Sequence, residues 1–176
     1  RNHVQSAVLQ VTLTHAGIPF VIHSGVKFFE QAHIKDITAF MKVLYNPLDE
    51  ISWMRLLRLL PGIGNNTAVK IFNVFQEQQA IRLTKDNDSL QRLIPKKAIN
   101  SWIVLQECFQ KILEEKISPS NMIGIIYKDF YRDVLFSSFE NAMQRETDIR
   151  YLEEFAVNYD KLETFLNELS LVGSSI

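Results

Sequence analysis

Apolar side chains recur every three or four positions along most of the chain, which is the spacing of one face of an α-helix. The clearest stripe comprises Ile34, Ile37, Phe40, Met41 and Leu44. This pattern predicts a helix that ends before Pro47, because a residue that precedes proline disfavours helical backbone. Similar stripes predict further helices over residues 4–15, 50–60, 66–75, 95–113, 118–135, 148–159 and 160–172.

Polar, glycine and proline residues separate these stripes, and Thr84–Ser89 is predicted to be a polar loop. Gly17 follows the first stripe as a stop residue, and Asp49 is placed to cap the helix that begins near residue 50. Asn65 or Asn66 is placed to cap the next helix. Only Pro19–His23 has strand character, because it is short and rich in β-branched and aromatic residues. The pattern therefore predicts an all-α fold, mostly helical, with one short strand-like segment near residues 19–23.

The bulk composition limits the classes of function. Of the 176 residues, 47% are apolar, which is enough for one packed core. The formal net charge is −1, so no overall field attracts the chain to nucleic acid or to an anionic membrane, and any such contact must be local. Cys108 is the only cysteine, which excludes an internal disulfide and suits a reducing, cytoplasmic location. No apolar run approaches the roughly 20 residues that cross a bilayer.

The sequence lacks the usual motifs for catalysis and metal binding. It contains neither a G-x-S-x-G nucleophile motif nor a G-x-x-x-x-G-K-[ST] phosphate loop, so it is not expected to hydrolyse ATP by itself. His3, His15, His23 and His33 lack the spacing of metal ligands, and one cysteine cannot complete a structural zinc site. We therefore predict no catalytic residue, no metal site and no cofactor for this stretch.

The segment LPGIGNNTAVKI, residues 60–71, is the best candidate for a binding site. Glycine allows backbone angles that other residues resist and lets a ligand approach the main chain closely. Where such a loop leads directly into a helix, outward-facing N–H groups lie at the positive end of the helix dipole, which suits an anion. Alternatively, the same residues form a tight turn between two helices that needs glycine only for its backbone angles. Both interpretations remain open on the loop alone.

The longer stretch GIPFVIHSGVKFFEQAHIKDITAFMKVLYNPLDEISWMRLLRLLPGIG, residues 17–64, resembles one segment of the UvrD/Rep/PcrA group of superfamily 1 DNA helicases. In that family an IPY-x-I-x-GG-x-x-FF-x-x-x-E-IKD-x-x-AYL block leads through N-x-x-D to a GIG hairpin. The matching positions are Ile18, Pro19, Gly25, Phe28, Phe29, Ile34, Lys35, Asp36, Ala39, Asn46, Asp49, Gly62, Ile63 and Gly64. RNHVQSAVLQVTL at the start resembles the fourth helicase motif, and DIRYLEEF and FLNELSLV near the end resemble segments that precede the fifth.

The resemblance implies a fragment of such a helicase. Residues 17–157 resemble accessory subdomain 2B, bordered by parts of motor subdomain 2A at residues 1–16 and 158–176. In this family 2B is a non-catalytic, all-helical insertion that binds the duplex ahead of the fork and swivels during ATP-dependent 3′–5′ unwinding. ATP and Mg²⁺ bind elsewhere in the helicase, although Arg1 matches an arginine that reaches the ATP γ-phosphate there.

The implied partners are double-stranded or forked DNA, the rest of the motor in the same chain, and repair or transcription proteins. The GIG loop resembles a helix-hairpin-helix, which holds a DNA phosphate through main-chain amides, and in this family the GIG hairpin is one of the contacts with the duplex backbone. The DNA-binding candidates are therefore Gly62, Ile63, Gly64, Asn65, Asn66, Thr67 and Lys70 at the loop, together with Lys35. Lys35 could instead pair with Asp36 or a neighbouring acid on a solvated face.

Three departures from the family pattern lower the expected DNA affinity, unless other lysines compensate for them. Pro61 and Ala7 stand where the family usually has arginine, and Asp148 replaces the arginine of RIENLEEF. Each change removes a guanidinium, the side chain best suited to holding phosphate.

Two other functions are considered. A protein-interaction module of the same helicase would use the most divergent stretch, residues 76–147. A helix-hairpin-helix DNA glycosylase also carries an LPGIG-x-x-TA-like loop. However, its lyase members have lysine where Asn66 stands, and the expected aspartate context is absent around Asp86 and Asp88.

Overall fold

The computed structural model describes residues 28–78, 88–114 and 117–174, together with residues 9, 12–13 and 15–18. Nine α-helices with described bounds, numbered α1 to α9, lie in residues 28–174, residues 9, 12, 13 and 15 are also helical, and no strand is found among the described residues. Their bounds are Ala32–Tyr45, Glu50–Leu57, Asn65–Gln78, Asp88–Leu93, Ile99–Glu114, Pro119–Ile125, Arg132–Ser138, Ala142–Ala156 and Leu162–Ser174. Phe28–Glu30 and Lys96–Ala98 form 3₁₀ turns, and Ile126–Tyr131 forms a π-helical segment between α6 and α7.

A stack of aromatic rings joins the first helices to α5. The Trp53 ring lies 4.4 Å from Phe75 and 5.8 Å from Phe109, in nearly parallel planes. Phe75 in turn faces Trp102 at 6.4 Å, and Phe40 stacks on Phe109 at 4.3 Å. Burying rings of this size contributes most of the apolar area in such a core. The stack therefore fixes α1, α2, α3 and α5 relative to one another.

Helix α1 is the centre of the second half of the fold. It packs against α2, α8 and α9, and its residues Ile34, Ile37, Phe40 and Met41 are completely buried. Near the start of the chain, His15 Nε2 lies 2.5 Å from Glu168 Oε1 in α9. The first described residues thus lie beside the last helix.

Most predicted helices are confirmed, and so is the all-α class within the described residues. Asp49 caps α2, since its side chain accepts a hydrogen bond from the Ser52 N–H at 3.1 Å. Gly17 adopts a φ of 65°, and Ile18 N–H donates to the Leu13 carbonyl at 2.9 Å, as at a glycine-terminated helix end. The predicted strand at Pro19–His23 lies outside the described residues.

Three predictions of local structure are wrong. Neither Asn65 nor Asn66 caps α3, because the helix begins at Asn65 and the Gly64 carbonyl accepts the first helical bond, from Ala68 N–H at 2.9 Å. The stretch over 84–89, which looks like a polar loop, ends in α4, which starts at Asp88. The single helix predicted over 118–135 is interrupted by the π-helical segment.

Candidate nucleic-acid interface

The loop between α2 and α3 has glycines facing outward and an isoleucine facing inward. Gly62 has a φ of 79°, in the left-handed region that L-residues with a side chain resist. Ile63 is only 5% exposed, and its N–H donates to the Leu60 carbonyl at 3.2 Å. The apolar residue between the two glycines therefore anchors the loop to the core, while Gly62 and Gly64 are exposed.

The beginning of α3 presents free main-chain donors. Among the described residues, no hydrogen bond uses the N–H of Gly62, Gly64, Asn65, Asn66 or Thr67. The cap residue Gly64 has no side chain to satisfy these donors, whereas serine, threonine, aspartate or asparagine would usually do so. The helix that follows is 14 residues long, so its dipole adds positive potential at the same place.

Two cations lie close to the loop. Arg58 donates from Nε to the Met54 carbonyl at 3.0 Å and from Nη1 to Asn65 Oδ1 at 3.4 Å. Its guanidinium thus lies at the first residue of α3. Across the loop, a β-carbon built on Gly62 would lie 3.9 Å from the Cβ of Lys97. Lys97 and its neighbour Lys96 are exposed, so the loop is flanked by positive charge on both sides.

The charge around the loop differs from that of the whole chain. Residues 51–76 and 89–106 contain six of the chain's 19 lysines and arginines and none of its 20 acidic residues. The six cations are Arg55, Arg58, Lys70, Arg92, Lys96 and Lys97. These two segments are neighbours in space, through the contacts of Gly62 with Pro95 and Lys97 and of Phe75 with Trp102. The remainder of the chain is correspondingly acidic, so a local basic surface exists on a nearly neutral protein.

The predicted site residues fall into two places. The candidates Gly62, Gly64, Asn65, Asn66 and Thr67, with Lys70 exposed one turn further on, lie along one part of the surface. Ile63 does not belong to it, because its side chain is buried and its N–H is already bonded to Leu60. Lys35 is exposed and lines a separate cleft of about 300 Å³ with Lys42 and residues of α9. Asp36, its suggested ion-pair partner, is engaged by other groups. Arg1 and Ala7 lie outside the described residues.

Sequence reasoning missed Arg58 and Lys97 as members of this surface. Pro61 stands where the family has arginine, but Arg58, one turn earlier, brings a guanidinium back to the loop. Lys97 is 35 residues away from Gly62 along the chain, so no local motif links the two. The signal that could have found both is the absence of acidic residues from the two segments.

A buried polar network lies behind the loop. Asp36 is 6% exposed; its Oδ1 accepts from Arg55 Nε at 2.6 Å and its Oδ2 accepts from the Tyr131 hydroxyl at 2.5 Å. Burial, together with the Asp36 charge and hydrogen bond, raises the pKa of Tyr131, so its hydroxyl remains a donor at neutral pH. Arg55 also donates from Nη2 to the Ala32 carbonyl at 3.1 Å.

Asp148, the third departure from the family pattern, belongs to a second buried group. Its Oδ2 lies 3.2 Å from Nε2 of the fully buried His33. Arg145 Nη1 lies 2.8 Å from His33 Nδ1; since arginine can only donate, Nδ1 is the acceptor and the ring proton resides on Nε2. Asp148 therefore lies in the interior, next to α1. Its replacement of the family arginine does not remove a positive charge from the surface.

Comparison with known proteins shows the family of the chain. The model of the UvrD-like helicase C-terminal domain matches residues 1–171, so the chain belongs to that family. It is similar to the ATP-dependent DNA helicases PcrA of Staphylococcus epidermidis, at 27% identity, and Staphylococcus aureus, at 23% identity. Each match covers 98% of this chain and 26% of the helicase, so the chain spans about a quarter of these relatives. Within the described residues, no helix combines the length and apolar character needed to cross a bilayer.

Proposed function

We propose that residues 17–157 are an accessory, duplex-binding subdomain of the 2B type in an ATP-dependent DNA helicase. Residues 1–16 and 158–176 are its connections to the motor. The pairing of His15 with Glu168 supports this division, because it brings the two connecting segments together. ATP and Mg²⁺ act in the rest of the helicase, with Arg1 reaching the γ-phosphate, and this part of the chain carries no catalytic step.

The DNA contact proposed here is the loop Gly62–Thr67. The observation that supports it best is the set of exposed, unpartnered N–H groups at the start of α3, flanked by Arg58 and Lys97. Main-chain N–H groups at a helix N-terminus bind phosphate without reading bases. Two nearby cations add affinity by releasing counterions from the duplex. Thus the subdomain would hold the backbone of any sequence while the motor moves along the strand.

A limited set of contacts gives weak binding. We expect a dissociation constant of roughly 10⁻⁴ to 10⁻⁶ M at physiological salt, as for non-specific binding through phosphates. The net charge of −1 gives no additional long-range attraction. In the whole helicase this weakness is compensated, because the motor holds the same DNA and raises its effective concentration at the loop.

The test is a titration of fluorescently labelled duplex at several salt concentrations. The variant Arg58→Gln/Lys97→Gln is compared with Lys128→Gln/Lys161→Gln, which removes the same charge from residues outside the two acid-free segments. Loss of two phosphate contacts should reduce the slope of log K against log salt by about two for the first variant only. Equal slopes and affinities for wild type and both variants would rule out this surface as the DNA contact.

A further inference from the structure

The loop is rigidly connected to the buried network around Asp36. Arg55 lies in the last turn of α2, one turn before Arg58. Beyond α2, the Leu59 N–H donates to the Leu56 carbonyl, the Leu60 N–H to the Leu57 carbonyl and the Ile63 N–H to the Leu60 carbonyl, at 3.1–3.2 Å. A change in the position of Arg55 is therefore passed along a hydrogen-bonded backbone to the loop.

Asp36 fixes Arg55, and Tyr131 fixes Asp36. The Arg55 side chain is 32% exposed, so it could rotate into solvent if the carboxylate turned away. Each Asp36 oxygen has its own donor, Arg55 on Oδ1 and Tyr131 on Oδ2. The Tyr131 hydrogen bond thus selects the carboxylate orientation in which Oδ1 faces the Arg55 Nε.

The direction of the Tyr131 side chain depends on the π-helical segment Ile126–Tyr131. One extra residue in a helical turn rotates every later side chain by about 100° compared with a continuous α-helix. In this segment the rotation brings the Tyr131 hydroxyl within 2.5 Å of a residue 95 positions earlier in the chain. π-Helical turns of this kind are frequently found where function needs a particular side-chain direction.

We propose that Tyr131 is a positioning residue for the phosphate-binding loop, acting through Asp36 and Arg55. The inference rests on the proposed function of the loop. It gives the π-helical segment a role in DNA binding although none of its residues belongs to the loop. It also links the divergent stretch, residues 76–147, to the DNA contact.

The first test measures the loop directly, by hydrogen exchange of individual amides in the 176-residue chain. Tyr131→Phe keeps the ring and removes only the hydroxyl. We expect the protected amides of Leu59, Leu60 and Ile63 to exchange about three- to tenfold faster relative to the central amides of α5. Tyr127→Phe is the matched control: Tyr127 lies in the same π-helical segment, but its hydroxyl interacts with Glu146 and Arg132 and not with Asp36.

The second test measures binding of the labelled duplex. Tyr131→Phe should weaken binding about three- to tenfold at a fixed salt concentration, because a loosened loop must be ordered again when DNA binds. The salt slope should not change, since Arg58, Lys97 and the other cations are still present. A lower affinity at constant slope separates positioning from the loss of a phosphate contact.

Asp36→Asn provides an independent variant, because it keeps the shape of the side chain while weakening both hydrogen bonds. Asp36→Asn should accelerate hydrogen exchange at the same loop amides. The proposal is wrong if Tyr131→Phe leaves the exchange rates of the loop amides unchanged. It is also wrong if the exchange rates of the loop amides and the α5 amides rise by the same factor, as general destabilisation would produce. If wild type binds no duplex even at low salt, the proposed function fails, but the exchange measurement still decides whether Tyr131 positions the loop.

Discussion

Replacing Gly64 with aspartate should change stability and DNA binding in opposite directions. Gly64 is the cap residue of α3 and cannot satisfy the free N–H groups that follow it. No other atom lies within 4 Å of a β-carbon built there, and its φ is outside the left-handed region. An aspartate therefore fits, accepts hydrogen bonds from the first turn and places a negative charge at the positive end of the helix.

The two effects can be estimated separately. Aspartate in place of glycine at a cap contributes a few tenths of a kcal/mol, and the dipole adds about 0.3–1 kcal/mol. The total of about 0.5–1 kcal/mol should raise Tm by about 1–4 °C in a chain of this size. For DNA, a carboxylate about 5 Å from a phosphate costs about 1–3 kcal/mol at effective dielectric constants between those of water and a protein surface. Duplex binding should weaken by at least about fivefold.

Thermal unfolding and fluorescence titration of labelled duplex measure these effects on the same samples. Gly64→Asn is the matched control, because asparagine caps the helix equally well but adds no charge. It should stabilise the chain slightly and weaken binding less than aspartate does. If Gly64→Asp raises Tm and leaves duplex affinity unchanged, the free N–H groups are not the phosphate site and the reasoning fails.

Three further predictions concern the loop and the core. Gly62→Ala should lower stability by about 1–2 kcal/mol through its positive φ alone, since the nearest atom to the new methyl lies at an ordinary 3.8 Å; an unchanged Tm for Gly62→Ala would contradict this. Burial, followed by the Asp129 charge, raises the pKa of Cys108 from 9.0 to about 12. Labelling of this thiol by an aromatic disulfide at pH 8 should therefore be about a thousandfold slower than for a free thiol until denaturant is added. Rapid labelling of the native chain would disprove this prediction. Burial raises the pKa of Glu153 above its ordinary 4.5, so its ionisation disfavours the folded state and stability is lost as pH rises through the raised pKa. Glu153→Gln should therefore be more stable than wild type in urea at pH 7 but not at pH 4, and the opposite pH dependence would refute the assignment.

Helix positions could be predicted because amphipathic spacing depends only on which face is buried. The stripe from Ile34 to Leu44 shows this, since four of its five residues are completely buried. Helix ends were harder to predict from the sequence. Asp49 caps α2 as expected, but Asn65 bonds through its side chain to Arg58, because Gly64 already occupies the cap position. The backbone of the preceding loop determines which residue occupies the N-cap position, and the sequence alone does not show where that loop ends.

The π-helical segment could not be predicted for a different reason. Residues 118–135 show an uninterrupted apolar spacing that is equally compatible with one regular helix. A π-helical turn weakens local hydrogen bonding, and here it is accompanied by a tertiary contact, the hydrogen bond of Tyr131 to Asp36. This contact joins residues 95 positions apart in the sequence, beyond the range of any local pattern.

The basic surface depends in the same way on long-range packing. Lys96 and Lys97 precede α5, and α5 is held by the stacking of Trp102 on Phe75 in α3. The aromatic core thus brings together two acid-free segments that are separated by residues 77–88. For a chain with a net charge of −1, attraction to DNA can arise only from such local concentration, because the overall field is negligible. A substitution that unstacks Trp102 would therefore disperse this basic surface without removing a single charge.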